Sequence, residues 1–226
     1  MSTKILEFGE LWDGVSNEFV GPGEILVKDG VIQEVGTTVT APKDAVRIDL
    51  SNRTVMPGLI DCHVHITCRP EVTAKFWGFG AAYKALLGAE ALKAHLMNGF
   101  TTVRDCGDMD VHGYTVREVK LALERGIIEG ARLITSGHMI SARGGHMDAT
   151  MILAPDCQPW QNCLADGPDE IRRVVREEIK WGAEWIKLAP SGGFSSPADD
   201  PVQVSYTQEE MDTLVATAAQ FGRSVA

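Results

Sequence analysis

Alternating hydrophobic and polar positions dominate the first part of the chain. Up to residue 55, short β-prone runs are interrupted by Gly, Pro and Asp, and within residues 24–35 the pair Asp29-Gly30 separates two such runs. An Asp-Gly pair between alternating segments is a strong signal for a tight hairpin. We therefore predict that residues 1–55 form a small antiparallel β module.

The pattern changes after residue 55, where apolar strand-like runs alternate with amphipathic helical stretches. The candidate strands are 55–63, 100–106, 132–136 and 184–189. The candidate helices are 82–98, 116–125, 168–181 and 207–222, the last of which opens with the capping box Thr207-Gln208-Glu209-Glu210. Repetition of a strand followed by a helix implies parallel strands joined by right-handed crossovers, which is an α/β fold.

The number of repeats indicates how much of a barrel is present. Residues 56–226 hold four βα units, and 223–226 look like the opening of a fifth strand. A complete (β/α)8 barrel of the TIM type needs about 250 residues. We therefore predict that residues 56–226 are the first half of such a barrel, and that its C-terminal half lies on a missing segment or on a second chain.

Composition narrows the classes of partner. The 226 residues are 44% hydrophobic, and 31 acidic residues against 21 basic ones give a formal net charge of -10. No Lys or Arg cluster is present to track phosphates, so nucleic acid and anionic membranes are not expected partners. The absence of an apolar run of about 20 residues and of a basic and apolar leader predicts a cytoplasmic protein. The five cysteines form no C-x-x-C pair, which favours buried free thiols over disulfides.

The strongest candidate for chemistry is the pair His63 and His65, which closes the first predicted barrel strand. Residues two apart in a strand point to the same side, roughly 6.6 Å from each other along the backbone. The pair lies at the carboxyl end of the strand, where barrel enzymes assemble their active sites. An H-x-H pattern alone is weak, but the Pro-Gly-Leu-Ile-Asp lead-in at 57–61 and the following βα repeats strengthen it. We predict that both histidines are metal ligands.

A second candidate is Lys187, in the fourth predicted strand. A barrel strand is covered on both faces, so a buried lysine there is costly without a partner. Taken alone, Lys187 is better interpreted as a lysine whose aliphatic chain is buried and whose amine extends to solvent at the strand end. Taken with His63 and His65, a carbamate formed from its amine and CO2 is the better interpretation, because such a group can bridge two divalent ions.

These features together resemble the amidohydrolase superfamily, in which H-x-H follows strand one and a carboxylated lysine ends strand four. The resemblance extends over the whole chain and is nearest to the subgroup of Xaa-Pro dipeptidases, arginine or lysine carboxypeptidases and ochratoxinase-like amidases. The stretches that carry it are 101–105, 137–148 with its Gly144-Gly145-His146, and 186–193.

The resemblance implies a TIM barrel whose N-terminal β module is part of a small β-sandwich. It also implies two divalent metal ions, for which we expect zinc, held by His63, His65 and a carbamate on Lys187. Two further histidines and a general acid/base aspartate are expected beyond Ala226. The implied reaction is metal-assisted hydrolysis of an amide or peptide C–N bond in a dipeptide or N-acyl amino acid, by a protein that forms homo-oligomers.

Two histidines near strand three are candidates for binding substrate. His146 follows two glycines in the long connection 136–167, and the resemblance implies that it binds the terminal carboxylate of the substrate. A role in stabilising the loop is equally open for His146, and His138 is a weaker candidate for the same carboxylate. Phe76, Trp77 and Phe79 follow strand one, where they either line an apolar pocket or pack beneath the loop.

Three other functions stay open at this point. A deaminase with a single metal ion shares the fold, but Lys187 argues against it. A cyclic-amide hydrolase would share Lys187 and differs only through the loop that contains Gly144-Gly145-His146. The alternative from a different class is a non-catalytic half that must meet a second chain: the chain length favours it, and the presence of His63, His65 and Lys187 opposes it. The side chain of the substrate and the identity of the metal are not determined by these motifs.

Overall fold

A computed structural model describes residues 2–69, 78–156, 160–194 and 200–226. The chain divides into two compact units, Met1–Gly58 and Leu59–Ala226. The sequence pattern predicted a division after residue 55, three residues earlier. None of the helices among the described residues combines the length and apolar character that crossing a lipid bilayer requires.

The first unit contains one four-stranded sheet. Its strands are β1 (Thr3–Leu11), β2 (Gly23–Lys28), β3 (Val31–Gly36) and β4 (Val46–Val55), in the order β3-β2-β1-β4. The predicted hairpin is confirmed: β2 and β3 pair antiparallel across Asp29 and Gly30, which adopt φ values of 50° and 81°. Positive φ at both central residues is the geometry of a two-residue type I′ turn.

The sheet of the first unit is mixed, which corrects the prediction of a wholly antiparallel module. Strand β4 runs parallel to β1, with Lys4 opposite Val46 and Leu6 opposite Ile48. The physical reason is the long connection 37–45, which carries the chain past β2 and β1 so that β4 joins the far edge in the same direction as β1. Hairpin signals report only neighbouring strands and do not detect such a crossover.

The second unit repeats strand and helix along the chain. Its strands are β5 (Leu59–Val64), β6 (Phe100–Asp105), β7 (Arg132–Thr135), β8 (Met139–Ser141) and β9 (Lys187–Ala189). Its helices are α1 (Ala81–Met97), α2 (Thr115–Glu124), α3 (Gly167–Lys180) and α4 (Gln208–Gln220). All pairings between these strands are parallel, and Ile186 forms a parallel bridge with Val225. The predicted α/β fold is thereby confirmed, whereas the closed eight-stranded barrel stays a prediction.

The strands differ from their predicted limits: the second ends one residue earlier, at Asp105, and the fourth begins three residues later, at Lys187. The first barrel strand begins at Leu59 because Pro57, which lacks an N–H, separates it from the end of β4. The third strand is split into β7 and β8 by Gly137, whose φ of 69° breaks the extended backbone. Strand β7 pairs with β6, whereas β8 pairs with β9. The connection predicted to begin at Ser136 therefore starts with a strand.

Alternation along the strands separates the core from the site. Val64, Ile66 and Val103 are buried against helices α1 and α2 in one hydrophobic cluster, and Ile186 and Leu188 are buried against α3 and α4 in another. Because neighbouring residues of a strand face opposite sides, the residues between these positions point away from the helices. His63, His65 and Lys187 occupy those intervening positions.

Candidate metal centre

The two predicted ligands of strand one lie together. His63 is the fifth residue of β5 and His65 follows the strand directly, with the centroids of their imidazole rings 5.5 Å apart and the ring planes at 65°. The backbone N–H of His63 donates to Oδ1 of Asp61 at 3.0 Å, which holds the strand end in place. The sequence prediction that both rings reach the same side of the strand agrees with this geometry.

The imidazole of His65 is oriented by the backbone of the neighbouring strand. Its Nδ1 lies 3.0 Å from the carbonyl oxygen of Gly107, and because a carbonyl only accepts, we assign the proton to Nδ1 and the lone pair to Nε2. Burial lowers the pKa of His65, and the positive charges of His63, Lys187 and His146 lower it further, against the opposing hydrogen bond to Gly107. The ring is therefore held in the neutral form that binds metals.

Lys187 lies within electrostatic range of this pair. It is the first residue of β9, it is half-buried, and its ammonium is one of the charges that lower the pKa of His65. Burial raises the pKa of the thiol of Cys106, the residue after β6, and the charge of Lys187 acts in the opposite direction. Two positions earlier, the buried ring of Trp185 packs under the guanidinium of Arg104 at 4.4 Å. Lys187 thus lies close enough to His65 and Cys106 for its charge to act on both.

His146 belongs to a loop that is fixed by hydrogen bonds. The carboxylate of Asp148 accepts the N–H of Gly144 at 2.9 Å and the Nε2 amide of Gln161 at 3.1 Å. The imidazole of His146 lies against Gly193, where a Cβ would be only 2.0 Å from its Cε1 and Nδ1. Only glycine leaves room for the ring, so Gly193 positions His146 at the strand-four end of the site. The Gly-Gly pair after strand four was the only sequence signal for this contact.

His138 does not take part in the site, and its prediction as a substrate-binding residue is wrong. The side chain is 1% exposed, its Nδ1 is 2.9 Å from Oε1 of Glu178, and its Nε2 is 2.9 Å from the carbonyl oxygen of Asp110. Burial lowers the pKa of His138, but the hydrogen bond and charge of Glu178 outweigh this and raise it to about 9. Both nitrogens therefore donate within the protein, and none is left for a substrate.

Sequence reasoning missed a group of buried charges after strand two. Asp105, Asp108, Asp110 and Lys84 are each less than 8% exposed. The Nζ of Lys84 donates to the carbonyl of Met109 at 3.0 Å and lies 3.8 Å from Oδ1 of Asp110, and burial raises the pKa of Asp108 to about 6. Three acidic residues within six positions at a strand end were the available signal.

The aromatic residues predicted near strand one are only partly described. Phe76 and Trp77 lie outside the described residues. Phe79 stacks on Tyr83 in the first turn of α1, with ring centroids 4.8 Å apart. This contact agrees with the packing alternative for Phe79.

The donor set of the described residues fits a metal ion only in part. Among residues 2–69, 78–156, 160–194 and 200–226, no three His, Cys, Asp or Glu side chains are grouped in a way that would hold a metal. The described residues do include two imidazoles, those of His63 and His65, on one side of a strand end. A backbone carbonyl orients His65 through Nδ1, as is usual for a metal-binding histidine. This set fits part of a coordination shell, which further ligands would have to complete.

The fold and site define an α/β chain with paired imidazoles at the carboxyl end of the first strand of a βα repeat. The amidohydrolase family model matches residues 54–226, and the chain therefore belongs to the amidohydrolase family. The resemblance inferred from the motifs is confirmed.

Individual relatives agree with this assignment. The chain is 32% identical to ochratoxinase of Aspergillus niger over 221 residues, which cover 89% of this chain and 45% of that protein. It is similar to the crystal structure of a Xaa-Pro dipeptidase with bound methionine in the active site, at a TM-score of 0.88 and 29% identity over 99% of this chain and 56% of the other. A prolidase complexed with N-methylphosphonate-L-proline gives a TM-score of 0.86 and 30% identity, covering 99% and 55%. The chain spans about half the length of these relatives.

Proposed function

We propose that the full-length protein is a metal-dependent hydrolase that cleaves an amide or peptide C–N bond in a small molecule such as a dipeptide or an N-acyl amino acid. The observation that carries the proposal is the pair of imidazoles of His63 and His65, with the charges of Lys187 and His146 acting on His65. Membership of the amidohydrolase family, which generally uses divalent metal ions, supports it.

In this proposal His63 and His65 hold a divalent ion through their lone-pair nitrogens, and Lys187 adds oxygen ligands. The neutral Nζ amine of Lys187 attacks the carbon of CO2, an N–C bond forms, and the amine loses a proton to solvent, which leaves a carbamate with one negative charge. The change removes a cation that opposes metal binding and creates two oxygen donors. The bound ions, for which we expect two zinc ions, would lower the pKa of a water molecule and polarise the scissile carbonyl.

Substrate binding is assigned to His146. Its ring lies against Gly193 at the end of strand four, and its charge acts on His65, so it faces the same space as the candidate metal ligands. An imidazole N–H at this position suits the carboxylate of a dipeptide or N-acyl amino acid as a hydrogen-bond donor. The names of the relatives, ochratoxinase and Xaa-Pro dipeptidase, favour amide and peptide substrates. The acid/base aspartate remains assigned to the part of the protein beyond Ala226.

The test is a substrate panel combined with metal removal in the full-length protein. Xaa-Pro dipeptides, N-acyl amino acids, an ochratoxin-type amide and cyclic amides are assayed before chelation, after chelation, and after zinc, manganese or cobalt is returned. We expect turnover of one of the linear amides, loss on chelation, and recovery with metal. Turnover that survives complete metal removal would overturn the proposal, and turnover of cyclic amides alone would assign the protein to the cyclic-amide hydrolases instead.

The carbamate is tested separately at Lys187. Lys187→Ala is expected to lower kcat/KM by about a hundredfold or more, because a bridging ligand of the metal ions is lost. Formate or acetate, which supply carboxylate oxygens in the vacated space, should restore part of the activity, whereas Lys187→Arg should remain inactive and should not respond. Full activity of Lys187→Ala without any added acid would exclude a carbamate at this position.

A further inference from the structure

The carboxyl group of Asp105 is buried where no substrate reaches it. Asp105 ends strand β6 and is 0% exposed. Its Oδ2 accepts the N–H of Ile66 at 2.8 Å and its Oδ1 accepts the N–H of Gly107 at 3.0 Å. Burial raises the pKa of this carboxyl well above its ordinary range, and the two N–H bonds act in the opposite direction. Burying such a group is expensive, and its two bonds show what it holds.

Both donors are directly connected to His65. Ile66 is the next residue along the chain, and Gly107 supplies the carbonyl oxygen that lies 3.0 Å from Nδ1 of His65. The N–H of Cys106 also donates to the carbonyl of Val64, at 2.8 Å. The carboxyl of Asp105 therefore joins the backbone that carries the His65 imidazole to the peptide that orients it.

The peptide at Gly107 has little intrinsic preference for this orientation. Its φ of 149° lies in a region that residues other than glycine rarely adopt, and a Cβ there would be 3.1 Å from Cβ of Met139. A glycine peptide can rotate at low cost unless something fixes it. The bond from the Gly107 N–H to Asp105 fixes the peptide that precedes Gly107. The N–H of Asp108, which shares a peptide group with the Gly107 carbonyl, donates to the carbonyl of Gly137 at 2.8 Å. With both neighbouring peptides held, the Gly107 carbonyl has a defined direction towards His65.

We infer that Asp105 is a positioning residue for His65: through Gly107 it holds the imidazole with the proton on Nδ1 and the lone pair of Nε2 directed to the metal. This inference rests on the proposed function. It differs from the family assignment of ligands because Asp105 itself neither coordinates a metal nor contacts substrate. Partners that orient a metal-binding histidine typically contribute 10- to 100-fold in metal affinity, which is about the effect expected here.

Asp108 provides a matched control. It is equally buried at 1% exposure, and its carboxylate also accepts backbone N–H groups, from Asp110 at 3.0 Å and from Val116 at 2.7 Å. The bond from Val116 holds the first turn of α2, and the Asp108 carboxylate also accepts the hydroxyl of Thr67 at 3.4 Å. None of these side-chain bonds involves Gly107, so Asp108→Asn keeps the backbone bonds on both sides of Gly107. Loss of either carboxylate should destabilise the fold, but only loss of Asp105 should change the orientation of His65.

The experiment compares Asp105→Asn, Asp108→Asn and His65→Ala in the full-length protein. Zinc affinity is measured by competition with a chromophoric chelator, and the stability of the metal-free proteins is measured by urea unfolding. In Asp105→Asn the amide NH2 faces either the Ile66 N–H or the Gly107 N–H, so the link between the His65 backbone and Gly107 is broken on one side. We expect zinc affinity to fall about 10- to 100-fold in Asp105→Asn, and to change less than about threefold in Asp108→Asn.

The outcomes separate the inference from the proposed function. Suppose that the wild type binds zinc tightly and that His65→Ala abolishes this binding. If Asp105→Asn then leaves zinc affinity unchanged, the inference is overturned and the proposed function is not. No zinc binding by wild type would overturn the proposed function and the inference with it. If Asp105→Asn does not fold, the tautomer of His65 in the metal-free wild type is read from its ring 15N shifts, assigned with His65→Ala. A proton on Nδ1 is expected, and a proton on Nε2 would overturn the inference.

Discussion

Two histidines of the second unit have opposite environments. Burial lowers the pKa of His65, the charges of nearby side chains, among them Lys187, lower it further, and its Nδ1 lies 3.0 Å from the carbonyl oxygen of Gly107. His138 is 1% exposed and bonded to Glu178, which raises its pKa to about 9.

The difference shows that the neighbours of an imidazole decide its role. Burial, with the charges of nearby side chains, favours the neutral form of His65, which has a lone pair to offer to a metal. The anionic Glu178 keeps His138 protonated. The two ring N–H groups of His138 then link the break between β7 and β8 to Glu178 on α3 and to the Asp110 carbonyl in the loop after β6. Both residues lie near strand ends and look alike in the sequence.

The largest expected effect tests the role of His65 as a metal ligand. His65→Ala should lower kcat/KM by about a thousandfold or more, because metal activation supplies several kcal/mol of transition-state stabilisation. Zinc content should fall in parallel, while the urea midpoint of the metal-free protein should change little. His95, whose Nδ1 donates to the Ala91 carbonyl within α1, offers the control variant His95→Ala. Equal losses of activity in the two variants would break the comparison.

The next effect tests the buried pair. Glu178→Gln should destabilise the protein by about 3 kcal/mol, because it leaves a buried imidazolium without its counter-charge. Since Glu178 raises the pKa of His138 from its ordinary 6.5 to about 9, the stabilisation is complete below pH 6.5 and is lost as the pH rises through 9. Measured by urea unfolding, the free energy of unfolding of the wild type should therefore decline between pH 6 and 10, and it should decline less in Glu178→Gln. A zinc affinity that falls with stability would contradict the separation of the two regions.

A smaller effect concerns the contact between His146 and Gly193. A methyl group at residue 193 displaces the imidazole, so Gly193→Ala should lower kcat/KM for substrates with a free carboxylate by about 10- to 100-fold, the value of one charged hydrogen bond. Substrates whose carboxylate is capped as an amide should be affected much less. Adding Gly193→Ala to His146→Ala should have no further effect. Equal losses on capped and free substrates would remove His146 from carboxylate binding.

The smallest expected effect concerns a hydrogen bond to the buried pair of His138 and Glu178. The hydroxyl of Tyr114 donates to Oε1 of Glu178 at 3.1 Å. Tyr114→Phe removes one hydrogen bond and keeps the ring that stacks on Trp181, so unfolding free energy should fall by about 1 kcal/mol. Activity and zinc content should not change. If Tyr114→Phe lowered the free energy of unfolding by much more than Glu178→Gln does, the tyrosine, and not the ion pair, would hold the break between β7 and β8.

Much of the fold and part of the site could be predicted from local pattern. The helices lie within a residue or two of their predicted limits, and the box at Thr207 is present, with its side chain accepting the N–H of Glu210. The pairing of β4 with β1 and the break at Gly137 could not be predicted, because each depends on residues far away: the first on a crossover, the second on Glu178, whose Oε2 would lie 2.1 Å from a Cβ at residue 137.

The amino-acid sequence by itself determined that His63 and His65 share one side of a strand end, because the two-residue period of a strand is a local property of the backbone. Only the tertiary structure decided what each polar side chain meets. The partner of His138 is 40 positions away, the glycine beside His146 is on another strand connection, and Asp105 reaches Ile66 across two strands. Charge and hydrogen bonding act through space, so the role of a histidine follows from contacts that chain folding brings together.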